Sequence, residues 1–277
     1  MHPEIDQSQL RALLILSSVV EARDAYTGGH LWRVGQFSRL LAERAELSEY
    51  EVFLAAIGGF LHDLGKVGIP DHILQKNARL DEAEYGVIQT HPDIGRGLLH
   101  EHPLAALAID AVTYHHERHD GKGYPERLSG ESIPLSARIV AIADTFDAMT
   151  STRPYRKGMP IEIAAKKMLE VRGTQFNAEL LDCFLDIAKT EALHHIVGHS
   201  DQGIPMGVCP WCGPIIAIPK STGDDAVVYC RACMGEFKIE RKGVRISLTY
   251  SERHGTPEQL RYEPDMDVIN HFVEMAQ

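Results

Sequence analysis

Histidine beside aspartate, histidine beside histidine, and cysteines two residues apart are the patterns in this sequence that can do chemistry. His62-Asp63 offers an imidazole and a carboxylate at one helical end, and His115-His116 offers adjacent imidazoles where a helix meets a glycine-rich loop. His30 stands near a helix start, in Thr27-Gly28-Gly29-His30, and His91 precedes a proline. Asp144 closes an apolar stretch, Val140-Ala141-Ile142-Ala143-Asp144, where an unpaired carboxylate would be costly and a divalent cation is one partner that offsets the cost. Imidazole and carboxylate together suit iron, manganese, nickel or zinc rather than calcium, which prefers all-oxygen ligation. Taken singly, each histidine is more often a solvated or core side chain than a ligand.

The second pattern is Cys209-Pro210-Trp211-Cys212-Gly213 followed by Cys230-Arg231-Ala232-Cys233, the spacing of a four-thiolate zinc site. The reading is a zinc-ribbon or rubredoxin-like module in which thiolates staple a fold too small to hold itself, with structural zinc favoured over a redox iron. A dithiol redox role lacks the expected βαβ context, and haem attachment fails because Gly213 and Met234 follow the pairs where histidine is required. Trp211 is either a partner contact or packing beneath the knuckle. Cys183 stands alone and reads as an inert buried thiol, and His194, His195 and His199 read as a solvated linker.

In their order along the chain, His30, His62-Asp63, His91, His115-His116, Gly123-Tyr124-Pro125 and Asp144 resemble the HD-GYP branch of the HD-domain phosphohydrolases. The matching stretches are 27–34, 62–70, 115–125 and 142–156, within residues 20–188. A bare His-Asp pair is shared by many nucleotide hydrolases, whereas the His-His-Glu-Arg and Gly-Tyr-Pro segments together are specific. The resemblance implies a phosphodiesterase that hydrolyses cyclic di-GMP to linear pGpG, with onward hydrolysis to GMP left open. It implies two divalent ions, iron or manganese foremost, bridged by Asp63, with His30, His62 and Asp144 on one and His91, His115 and His116 on the other.

The same resemblance assigns roles nearby. Two cations about 3.5–4 Å apart acidify water and neutralise phosphate oxygens, so the expected nucleophile is a metal-bridging hydroxide attacking in line with the ribose 3′ oxygen. Lys66, one turn after His62, is expected to stabilise developing charge or protonate the leaving oxygen, its bland alternative being a solvated helix-end lysine. Arg153 and Arg156 carry forked donors suited to phosphate or a guanine edge, and Asp147 falls among the expected substrate contacts. Tyr124 is read equally as a ligand contact or as packing. Where some members carry a glutamate that recruits a third ion, this chain has Tyr26, hence the two-metal reading; His119 and Asn177 replace a frequent tryptophan and aspartate.

Those groups need elements to carry them. The chain has 277 residues, 44% apolar and 24% charged, which suits one large domain plus a smaller one. Its net charge of −11 argues against long nucleic acids, which require a cationic surface. The longest apolar run, from Ala12 to Val20, is too short to span a bilayer and lacks a basic leader, so a cytoplasmic location without membrane contact is expected.

Apolar residues recur at three and four from Gln9 to Ala188, including Leu10, Leu13, Leu14 and Val34, Phe37, Leu40, Leu41, which predicts a mainly α-helical bundle. Asp81 with Glu84 is a capping-box pattern, Pro134 opens the helix carrying Ile139, Ile142 and Phe146, and 117–133 reads as an ordered loop. Around His199 to Gly207 glycine and proline take over, setting a domain boundary: 1–200 catalytic, 201–277 ribbon. Short β-type runs at 215–218, 226–229, 237–240 and 244–250 predict a small antiparallel β domain whose last residues return as a helix. A protein partner at the ribbon and a homodimer fit this reading. Its rivals are hydrolysis of another cyclic dinucleotide or nucleotide, and a non-catalytic scaffold that binds cyclic di-GMP.

Overall fold

A computed structural model describes residues 5–24, 28–76, 78–152, 158–201, 204–213, 215–218, 223, 226–242 and 245–276. Arg153 and Arg156 lie outside the described residues, as do Tyr26 and the turn residues Thr222, Asp224, Asp225 and Gly243. Among the described residues no helix is long and apolar enough to cross a membrane.

The helical body begins with α1 (Gln7–Glu21), whose N-cap Asp6 accepts from the amides of Ser8 and Gln9. α2 (His30–Arg44) and α3 (Glu49–Leu61) follow, the latter opened by a Ser48/Glu51 capping box. After a tight turn at Leu64–Gly68 come α4 (Asp71–Leu74), α5 (Glu82–Ile88), α6 (His91–Leu99) and α7 (Ile109–Tyr114). α8 (Leu135–Thr150), α9 (Ile161–Leu169) and α10 (Ala178–Ile187) complete it. The expected Asp81/Glu84 capping box opens α5, Pro134 caps α8, and 117–133 forms a loop with one short 3-10 turn at Gly130–Ser132. One apolar core runs through α1, α2, α3, α7 and α8, with Phe37, Phe146 and Phe184 meeting edge to face.

Beyond the bundle, β1 (His199–Asp201), β2 (Ile204–Val208) and β3 (Ile215–Ala217) form one antiparallel sheet. β4 (Val227–Tyr229), β5 (Gly235–Lys242) and β6 (Arg245–His254) form a second. Phe237, Ile239, Val228, Ile216 and Ile218 make a small core in which Cys209 and Cys230 are buried. The expected strands are present; β1 and β2 are additional, in the stretch whose glycine and proline content reads as linker.

The boundary expected at residue 200 does not divide the molecule cleanly. The chain leaves β6 and returns to the bundle as α11 (Met266–Glu274), whose Val268, Ile269, Phe272 and Val273 belong to the helical core. Phe272 packs on Phe60 of α3 with ring centroids 4.8 Å apart. The amphipathic spacing of those four residues demands an apolar partner, and the sheets are too small to supply one. The chain therefore passes from the helical body through the cysteine module and back into the helical core.

In the module, Cys212 Sγ lies 3.5 Å from Cys230 and 3.6 Å from Cys209, and Cys209 lies 3.7 Å from Cys233. Thiolates about 2.3 Å from a tetrahedral ion would stand roughly 3.8 Å apart, so the four sulfurs match such an ion closely. Gly213 and Met234, each following the second cysteine of its pair, take φ of 89° and 60°, turning the chain back over the sulfurs. Trp211 is 52% exposed and packs tilted against Tyr250, ring centroids 3.8 Å apart, so it is at once surface and packing.

Candidate metal centre

Four glycine-dependent approaches bring the histidines together. α2 and α3 run as a hairpin, so the start of one and the end of the other share an end. Gly59 allows them to close, because a β-carbon there would stand 2.9 Å from the Val34 carbonyl, and Gly58 admits α7 against Ala111. A β-carbon on Gly65 would lie 1.8 Å from the His91 carbonyl, so the turn after Asp63 can rest on the start of α6 only with glycine there. Gly123 in the long loop is similarly tight against Glu117 and His116.

His30 opens α2, His62 ends α3 with Asp63 behind it, His91 opens α6, and His115 and His116 follow α7; Asp144 comes from the middle of α8. His30 Nε2 lies 3.3 Å from His62 Nε2, 3.4 Å from Asp63 Oδ2 and 3.6 Å from Asp144 Oδ1. His91 Nε2 lies 3.2 Å from His115 Nε2 and 3.5 Å from Asp63 Oδ1, and His116 completes that second group. Ligands about 2.1 Å from an ion stand roughly 3.0–3.4 Å apart, so the donors match two coordination spheres. Asp63 turns one oxygen to each group, the arrangement of a bridging carboxylate. The seven residues expected as ligands thus converge.

The other ring nitrogens decide what these donors can do. His62 Nδ1 is 2.8 Å from the Gly59 carbonyl, His91 Nδ1 2.8 Å from that of Ile88, and His115 Nδ1 2.9 Å from that of Ala111. His30 Nδ1 meets Asp147 Oδ2 at 2.7 Å. Each Nδ1 therefore donates its proton away from the centre and turns Nε2 inward; on the neutral rings that nitrogen presents a lone pair, the tautomer a metal requires, and on His30 it does so once its second proton leaves.

Charge differs across the centre. Burial pushes His91 down to about 4 and His116 down to about 3, and lowers His115 strongly, so all three are neutral at physiological pH. Burial also disfavours charge on His30, but the carboxylates of Asp147 and Asp63 outweigh it and raise that ring to about 9. Burial would raise Asp63, yet His62 and Lys66 hold it well below the usual carboxylate range. Lys66 Nζ stands 2.6 Å from Asp63 Oδ2, and that carboxylate overcomes burial to keep the amine protonated.

Asp147 is not where a substrate contact would be. It is 1% exposed, with its oxygens engaged by His30 Nδ1 and by the guanidinium of Arg33, which is equally buried. A buried carboxylate needs such partners, and here they make it the group that orients His30. Arg33 itself escaped the sequence reading. Its signal is a cation one turn after His30, amid Leu31, Trp32, Val34 and Phe37, where an arginine needs a buried anion. Glu21, at the end of α1, accepts from the Leu31 amide at 2.9 Å and so caps α2 in place of Gly29.

Two clefts meet at Tyr85 beside the centre. One, about 920 Å³, is lined by Asp24, Lys66, Lys76, Arg79 and Tyr85 among others. The other, about 250 Å³, is lined by His115, His116, Arg118, Lys122, Tyr124 and Asp144, with Tyr85 shared. The Tyr124 ring stacks on His116 at 4.7 Å and 24°, so this residue both packs against a ligand and faces the smaller cleft.

Residues 15–180 match the HD domain family. The chain is 40% identical over 184 residues to the cyclic di-GMP phosphodiesterase response regulator RpfG of Xanthomonas campestris pv. campestris, covering 66% of this chain and 49% of that protein. It is 38% identical over 173 residues to the 3′3′-cGAMP-specific phosphodiesterase 2 of Vibrio cholerae, covering 62% of this chain and 33% of the relative. The chain thus spans half or less of the length of these two curated relatives. Among solved structures, the cyclic GMP-AMP specific phosphodiesterase V-cGAP3 of V. cholerae shares the fold, with a TM-score of 0.51 at 21% identity over 66% of this chain and 50% of that one.

Proposed function

The chain belongs to the HD domain family, in its HD-GYP branch, and from that premise we propose that it is a metal-dependent phosphodiesterase of cyclic dinucleotides, with cyclic di-GMP as substrate and linear pGpG as product. The observation that carries this is the split of the Asp63 oxygens between two groups of inward-facing donors. His30, His62 and Asp144 would hold one ion, His91, His115 and His116 the other, with iron or manganese suited to the mixed donors. When bound, such a pair supplies Lewis acidity that activates water and neutralises a diester.

The protein's own groups do the rest. Lys66 remains protonated beside Asp63 and opens onto the larger cleft, where it balances charge on the diester or delivers a proton to the leaving ribose oxygen. A cyclic dinucleotide has two purine halves, and the two clefts that meet at Tyr85 supply a seat for each. Lys76 and Arg79 line one, Arg118 and Lys122 the other, so an anionic ligand finds local cations despite the net charge of −11. Arg153 and Arg156 are proposed as further ligand contacts, and Asp147 acts through His30.

At Cys209, Cys212, Cys230 and Cys233 the proposed ion is a structural zinc. Burial pushes the Cys230 thiol up to about 11, so gathering four thiolates calls for a cation. Free thiols in that role fit a reducing cytoplasm.

The experiment is metal analysis together with turnover of cyclic di-GMP and 3′3′-cGAMP by the parent and by His62→Ala. The proposal expects hydrolysis of cyclic di-GMP that His62→Ala abolishes together with bound metal. The 38% identity to a cGAMP-specific relative supports the second substrate, and faster turnover of 3′3′-cGAMP would favour it. A His62→Ala variant as active as the parent would remove the assigned centre.

A further inference from the structure

The cysteine module reaches the metal centre by two separate routes, and both end on α2, the helix that opens with His30. In the first, Arg33 donates through one terminal nitrogen to the carbonyl of His199, at the start of β1, at 3.0 Å. Its remaining nitrogens hold Asp147, which in turn holds His30 Nδ1. The guanidinium thus ties the first strand of the module to the first histidine of the centre.

The second route starts between the cysteines of the second knuckle. Arg231 stacks over the Tyr262 ring, its guanidinium carbon 4.7 Å from the centroid. Tyr262 is half-buried at the point where the chain turns from β6 toward the helical bundle. The segment beyond Tyr262 then enters α11, whose Phe272 presses on Phe60 and against Gly35 of α2.

Neither route touches the other half of the centre. His91 and His115 are held by carbonyls of their own helical turns, which do not depend on the module. We infer that the cysteine module positions His30, through Arg33–Asp147 and through the Tyr262–α11 segment packed on α2, so that an intact module is required for tight binding on the His30, His62, Asp144 side of the centre alone. Arg33 and Tyr262 are positioning residues in this scheme. Passive docking of two modules would instead stabilise the bundle as a whole, without favouring one side.

The inference rests on the two-ion reading above, and the test separates them. In a Cys183→Ala background, the four module thiols are the cysteines left for a mercurial to attack. The protein is loaded with manganese in the helical centre and titrated with p-hydroxymercuribenzoate to release the module's ion, while manganese is followed by electron paramagnetic resonance. The expected result is conversion of a coupled two-ion spectrum to that of an isolated ion, with about tenfold weaker affinity for one ion and unchanged helical circular dichroism. Arg231→Ala and Tyr262→Ala, neither of which alters a ligand, are expected to keep the module's ion and show the same one-sided weakening. A coupled spectrum that survives release of the module's ion overturns the inference, and so does loss of both manganese ions together with the helical signal. A parent that never binds two manganese ions in the helical centre overturns the two-ion reading itself, and this inference with it.

Discussion

The two halves of the centre are built on different principles. On the His91, His115, His116 side the imidazoles are neutral; His91 and His115 are fixed by carbonyls three or four residues back in their own chain, and His116 is backed by the Tyr124 ring. On the His30, His62, Asp144 side, His62 is anchored in the same local way to the Gly59 carbonyl, but His30 carries charge in the absence of a cation and takes its orientation from Asp147, 117 residues away, which depends on Arg33. Local anchoring is robust because the helix pays for it once; remote anchoring couples a ligand to distant parts of the molecule. Asp63 joins the halves, and so substitutions should sort by whether they strike the bridge, the remotely held side or the locally held side.

The largest effect is expected at the bridge. Asp63→Ala should lower turnover at least ~1000-fold and weaken both ions together, because each loses a ligand and the two cations lose the anion between them. Steady-state kinetics with metal analysis reads this, and loss of a single ion would mean the halves are not bridged.

Removing Arg33 should come next. Arg33→Met strips the buried Asp147 of its guanidinium and leaves it with His30 and Ser151; breaking a buried pair in this way costs about 3–5 kcal/mol of stability, seen as a lower melting temperature. The milder Asp147→Asn should weaken binding on the His30 side by about 10–100-fold while leaving the other side near its parent affinity. Equal weakening of both sides would erase the distinction between local and remote anchoring.

Acidity separates the halves without mutation. His30 is raised to about 9, so at neutral pH an incoming ion must displace a proton, and affinity on that side should rise up to about tenfold per pH unit from 7 toward 9. His91 and His116, lowered to about 4 and about 3, have no proton to lose in that range, so their side should be flat. In the metal-free protein the raised His30 contributes stability that is full below its ordinary value of 6.5 and is lost as pH rises through about 9. Calorimetric metal titration in buffers of different ionisation heat counts the protons released.

Tyr124 should give the smallest change. Tyr124→Phe keeps the stack on His116 and should stay within about threefold of the parent, whereas Tyr124→Ala removes an aromatic contact worth roughly 0.5–1.5 kcal/mol and should raise KM by up to about tenfold. A Tyr124→Phe variant as impaired as Tyr124→Ala would assign the role to the hydroxyl.

What the sequence makes legible follows the same division. The ligands themselves are readable because their types and order are chemical requirements, whereas the close approaches that require glycine at 65 and 123 show only once the fold brings His91 and Glu117 against them. Asp147 misleads because an aspartate in a ligand-rich stretch looks like a contact; only packing against Arg33 shows both its oxygens occupied. The strands at 215–218 and 226–229 follow from β-rich composition, whereas β2 is hidden by Pro205 and Gly207, whose pairing with β1 and β3 respectively is a tertiary fact. The helical periodicity of α11 is visible, but nothing local says which core receives it; Phe60 and Gly35 decide that.

The most direct test of the central claim is anomalous diffraction from crystals of the manganese-loaded protein. The account predicts two peaks about 3.5–4 Å apart with the Asp63 carboxylate between them, one beside His30, His62 and Asp144 and the other beside His91, His115 and His116. A single peak, or a pair that leaves Asp63 uncoordinated, would contradict it.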